Sequence, residues 1–206
     1  MDDLVVLVAD KNMQFAMQGA LKRPQALGIR RVTHQFRVHI GRDGGVRSSG
    51  PEMLEIERTR FSHALLILDY EGCGATNTSA LAVEDALDQR LERVWGKAGK
   101  AIVVSPEIDA WMWGSDTVLR QVLSWPLKEN IRDWLRQRGF EFGAHQKPLR
   151  PKEALDAMRP VHRLPRSSAV YEKITSRISL QNCSDQAFQR LRSQLQSWFP
   201  SASPQI

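Results

Sequence analysis

The stretch "ALLILDYEGCG" (residues 64–74) runs five apolar residues straight into Asp69, then Tyr70, Glu71 and a Gly-Cys-Gly turn. An apolar run with no alternation reads as a strand covered on both faces, as in a parallel sheet between helices. An acid at the end of such a strand emerges at the sheet's carboxyl edge, where open α/β folds bind their ligands. Two carboxylates one residue apart at that place ask for a partner of opposite charge.

The flanking sequence repeats the pattern. "LVVLVAD" (4–10) is a second apolar run, also ending in an acid, Asp10. "KAIVVS" (100–105) is a third, followed by Pro106, Glu107 and Asp109. "VTHQFRVHI" (32–40) alternates instead, with Val32, Phe36, Val38 and Ile40 on one side, so it predicts a half-exposed strand near an edge. Between the strands lie helical stretches. Residues 11–22 end before Pro24. Pro51 predicts the first helical position of a short helix reaching about Arg60. Residues 79–94 place Leu81, Leu87, Leu91 and Val94 among Glu84, Asp85, Asp88 and Arg90. Strand and helix thus alternate through residue 105. This predicts an α/β core over 1–125, with a mostly parallel sheet flanked by helices.

After residue 105 the pattern turns helical. Ser105 reads as an N-cap and Pro106 as the first helical residue of "SPEIDAWMWGS". Further helices are expected within 126–138, ended by Gly139, and near 151–159, 168–179 and 185–198. Residues 126–206 thus form a basic helical extension expected to pack on the core.

Charge follows the same division. The net charge is +6 over 206 residues, and residues 130–206 carry 13 Lys/Arg against 6 Asp/Glu. A basic face of this kind docks a phosphate backbone or simply keeps a surface solvated. Two cysteines, Cys73 and Cys183, make neither a disulfide framework nor a zinc quartet. The acidic start and the lack of a long apolar run predict a cytoplasmic protein that does not engage a membrane.

Three predicted strands therefore deliver acids to one edge: Asp10, then Asp69 and Glu71, then Glu107 and Asp109. Taken singly, each has a plainer role as a helix cap, a first-turn acid or a solvated side chain. Taken together, they form a candidate site for Mg²⁺ or Mn²⁺, hard cations that take oxygen ligands and activate water against a phosphodiester. "GRDGGVRSSG" (41–50) offers Arg42, Arg47 and four glycines, but it lacks a Walker lysine and reads as a flexible connection. Trp111 and Trp113 flank the candidate site, and base stacking is one use for them. Because they alternate, at least one is expected in the core. Cys73 has no neighbouring base and no nucleophilic role.

A strand with an acid, followed by a strand with Asp-x-acid, resembles a Toprim domain. The segment "VVSPEIDAWMWGSD" (103–116) is similar to the strand–Pro–acid–Trp segment of the Toprim-like DUF4276 family, related to RloB-like proteins. The tail "AVYEKITSRISLQNCSDQAFQRL" resembles that family's tail. The resemblance implies a Toprim-like fold and a divalent-metal-dependent nuclease or phosphotransfer subunit. Asp10, Asp69 and Glu71 would be its catalytic metal ligands, with Glu107 and Asp109 completing the shell. It implies a component of bacterial anti-phage defence, with a methylation-associated system among the kinds of locus expected. The expected partners are nucleic acid, DNA first, and other proteins of a defence locus. Arg163, Arg166, Lys173 and Arg177 would contact the nucleic acid. The motifs depart from the family in two places: Asp10-Lys11 stands where Toprim has glutamate and glycine, and Asp69-Tyr70-Glu71 where it has Asp-x-Asp. These departures keep a second reading in view, a catalytically degenerate scaffold that binds partner proteins.

Overall fold

The computed structural model describes residues 1–162, 167–181 and 183–201. The α/β architecture expected from the alternation is what forms: four parallel strands in one sheet, flanked by helices. In chain order these are β1 (Asp2–Val8), α1 (Lys11–Leu21), α2 (Pro24–Leu27), β2 (His34–Val38), α3 (Arg42–Glu55), β3 (Phe61–Asp69), α4 (Ala80–Trp95) and β4 (Gly99–Val104). A 3-10 helix (Ile108–Gly114) leads into α5 (Asp116–Val122), α6 (Ile131–Arg136), α7 (Pro151–His162), α8 (Ala169–Thr175) and α9 (Gln186–Trp198).

The strand order is β2-β1-β3-β4. Val6 of β1 lies opposite Phe36 of β2 on one side and Leu65 of β3 on the other. The central strands are fully buried through Leu4–Val8 and Ala64–Leu68, which is why their sequences do not alternate. Alternating β2 is an edge strand. The chain first moves from β1 outward to β2, then crosses back to β3 and outward to β4. The order therefore reverses between β1 and β3, and the loops that follow these two strands open on that crevice.

β4 is the other edge, and side chains close it. Asp88 accepts from the Ala101 N–H at 2.7 Å and Glu84 from the Val103 N–H at 2.8 Å. Alternate outward-facing N–H groups thus find acceptors on α4, and the edge is closed to strand pairing. Glu84 is 2 % exposed, and Arg190 of α9 pairs with both of its carboxylate oxygens at 2.7 and 2.8 Å. This buried pair fixes α9 to β4 and α4. α8 packs on α1, where the two backbones nearly touch: a Cβ at Gly19 would lie 2.1 Å from Thr175 Oγ1 and 2.6 Å from the Glu172 carbonyl.

Two local expectations are corrected. Residues 41–50 are no flexible loop: they are the start of α3, which runs from Arg42 to Glu55 with Pro51 inside it. Its glycines serve close packing. A Cβ at Gly50 would lie 2.7 Å from Leu66 Cδ1, and one at Gly45 would lie 2.3 Å from the His39 ring. Pro51 has no N–H to give the turn before it. The Arg90 guanidinium supplies donors there instead, to the carbonyls of Arg47 and Ser48, each at 2.7 Å. Nor does Ser105 cap a helix at Pro106. The Pro106 carbonyl accepts from the Glu71 N–H at 2.9 Å, and helical structure begins only at Ile108.

The base-stacking use of Trp111 and Trp113 is also overturned. Each is 1 % exposed. Trp111 packs edge-on against Phe188 and donates to Asp185 at 3.1 Å; Trp113 donates to the Pro151 carbonyl at 3.3 Å. Both tie the helical part to the core.

Candidate acidic site at the carboxyl edge of the sheet

Asp10 follows β1 directly and is the N-cap of α1, its Oδ1 accepting from the Met13 N–H at 2.9 Å. Asp69 ends β3, on the other side of the crevice. Its Oδ1 accepts from the Ile108 N–H at 2.7 Å, which binds the segment after β4 to the end of β3. Glu107 and Asp109 on that segment are buried, 6 % and 4 % exposed. Glu71 is brought to the same edge but stays exposed.

Three further residues complete the cluster. Asp43, in the first turn of α3, accepts from the Asp69 N–H at 2.8 Å. Lys152, in the first turn of α7, donates its backbone N–H to Glu107 Oε1 at 3.0 Å and holds its ammonium 3.9 Å from Oε2. Tyr171 of α8 donates its hydroxyl to Asp109 Oδ1 at 2.6 Å. Asp43 carried one readable signal, since a loop leaving a parallel strand opens on the carboxyl edge. Its glycine neighbours hid it. Lys152 and Tyr171 are delivered by tertiary packing and had no local signature.

The electrostatics show how closely the acids share this space. Burial lifts the Asp69 carboxyl well above the usual range, and the charges of Asp43, Asp109 and Glu107 raise it further. Burial, then Asp109, push Glu107 up to about 7, against the pull of Lys152. Burial also raises Asp43 and Asp109, with Asp10 adding to both and Lys152 opposing both. Tyr171 is raised by burial and by Asp109, so its hydroxyl stays protonated and serves as a donor. Clustered carboxylates that hold one another's protons on are short of positive charge.

Oxygen donors in that state suit Mg²⁺ or Mn²⁺ chemically. Asp10, Asp69, Glu107 and Asp109 each commit one oxygen to a protein donor. Among the described residues, no three His, Cys, Asp or Glu side chains are grouped closely enough to hold a metal ion. Of the residues expected to meet nucleic acid, Lys173 and Arg177 are exposed on and just after α8, whereas Arg163 and Arg166 lie outside the described residues.

Two open clefts flank the acids. One of about 580 Å³ is bounded by Asp10, Lys11, His39, Arg42 and Lys152. The other, about 600 Å³, is bounded by Arg42, Asp43, Glu71, Glu107, Lys152 and Asp156. No helix among the described residues is long and apolar enough to cross a membrane. Compared with known proteins, the chain matches no family model, no curated protein and no solved structure.

Proposed function

We propose that the acidic edge is the working site of a Toprim-like, Mg²⁺- or Mn²⁺-dependent nuclease or phosphotransfer subunit acting on nucleic acid. One observation carries this reading. Asp10, Asp43, Asp69, Glu107 and Asp109 come from four separate segments to the edge where the strand order reverses, and their charges act on one another there. Asp10, Asp69 and Glu107 would hold the cation, with Glu71 and Asp109 beside them. A bound divalent metal would supply polarisation of a phosphoryl oxygen. The chain's own groups do the rest. Glu107, kept protonated close to neutrality by burial, would give up its proton on taking the cation. Tyr171 orients Asp109. The resemblance supports a role in anti-phage defence, and the exposed Lys173 and Arg177 are cations available to a phosphate backbone.

A second reading has its own support. Asp10 is spent on capping α1, and no three acids are grouped as ligands among the described residues. A degenerate scaffold that binds partner proteins of a defence locus would look like this.

A cleavage screen separates the two. Single- and double-stranded DNA and RNA are incubated with the protein in Mg²⁺ or Mn²⁺, wild type beside Asp69→Asn. The nuclease reading expects cleavage by the wild type and a loss of at least ~100-fold in the variant. Equal activity in both, or none in either, favours the scaffold.

A further inference from the structure

Arg42 has two properties unusual for an arginine at the border of an acidic site. Among the described residues its guanidinium makes no hydrogen bond or ion pair, although Asp10, Asp43 and Glu71 line the same clefts. Its backbone is left-handed, with φ of 50°. That region favours glycine or asparagine, and an arginine there is under strain. Arg42 bounds both clefts of the carboxyl edge, and among the described residues the only other one that does is Lys152.

Lys152 is the complement of Arg42. Its backbone is anchored to Glu107, while the side chain is about half exposed and its ammonium stands 3.9 Å from the Glu107 carboxylate. Its charge reaches Asp43, Glu107 and Asp109. Beyond it, Lys11 is exposed at the rim of the first cleft. A cation pair thus separates two spaces of about 580 and 600 Å³, each roomy enough for one nucleotide. A double helix is too wide to enter either.

We propose that a single strand of nucleic acid crosses this edge with one nucleotide in each cleft, and that Arg42 and Lys152 grip the phosphodiester between them. The inference rests on the nucleic-acid reading above, but not on its metal chemistry. An arginine provides a planar fork for two oxygens of one phosphate, and a lysine provides a point charge. The left-handed backbone at Arg42 holds that fork at the mouth of both clefts.

The test is binding, read by fluorescence anisotropy on a labelled oligothymidylate hexanucleotide and on its duplex with oligoadenylate, in EDTA so that no strand is cut. The wild type is expected to bind the single strand at least about tenfold more tightly than the duplex. Arg42→Gln and Lys152→Ala are each expected to weaken single-strand binding about tenfold or more. Arg42→Gly removes the side chain while suiting the left-handed backbone; it is expected to lose binding with no loss of thermal stability, which separates a ligand role from a structural one. Binding unchanged in Arg42→Gln and Lys152→Ala, equal binding of duplex and single strand, or no binding at all overturns the proposal. Weakened binding in the two variants, together with no cleavage by the wild type in Mg²⁺ or Mn²⁺, keeps the phosphate grip and removes the metal reading.

Discussion

Glu107 is held between opposing demands. Lys152 stands close enough to favour its ionised form, while burial and the charge of Asp109 favour the protonated one, and burial wins. A carboxyl whose folded-state pKa is raised stabilises the fold below its unfolded value and loses that contribution as pH rises through the folded one. For Glu107 the window runs from 4.5 to about 7. Glu107→Gln keeps an oxygen to accept from the Lys152 N–H and cannot ionise. It is therefore expected to match the wild type near pH 4 and to exceed it at pH 8, by up to about 3 kcal/mol, in urea unfolding without metal. At this scale the sequence was informative about acids that directly follow apolar runs, because position after a strand fixes position at the edge. It was silent about Tyr171 and Lys152, whose place at the site depends on how α7 and α8 dock.

Secondary elements show where local pattern misleads. Glycine in "GRDGGVRSSGP" argues for a loop if glycine is taken only as a flexible residue. In α3 the same glycines admit His39, Leu66 and Leu7 to the helix surface, and Arg90 attends the carbonyls near Pro51. The signal is tertiary, so periodicity could not find it. Buried β1 and β3 were legible because burial on both faces leaves a pattern within the strand itself. The contact of α1 with α8 depends on one missing methyl. Gly19→Ala places a Cβ against Thr175 and the Glu172 carbonyl. It is expected to cost about 2–3 kcal/mol in urea unfolding, and by shifting α8 to loosen the hydrogen bond from Tyr171 to Asp109.

Across the whole molecule, charge and topology point to the same edge. The sheet order puts the reversal between β1 and β3, and the acids gather there. The basic excess lies in residues 130–206, which supply Lys152 to the site and Arg190 to the buried pair with Glu84. The broad division of charge was visible in the sequence. The way α7, α8 and α9 fold back on the core was not, because contacts such as Arg190 with Glu84 span 106 residues and carry no periodic signature. The central claim is that the acids at this edge are short of a cation. Calorimetric titration of Mn²⁺ and Mg²⁺ into the wild-type chain and into Asp69→Asn tests it most directly. The account predicts saturable binding to the wild type, with protons released on binding at pH 7, and loss of that binding in the variant. Binding of equal strength to both proteins, or none to the wild type, would contradict it.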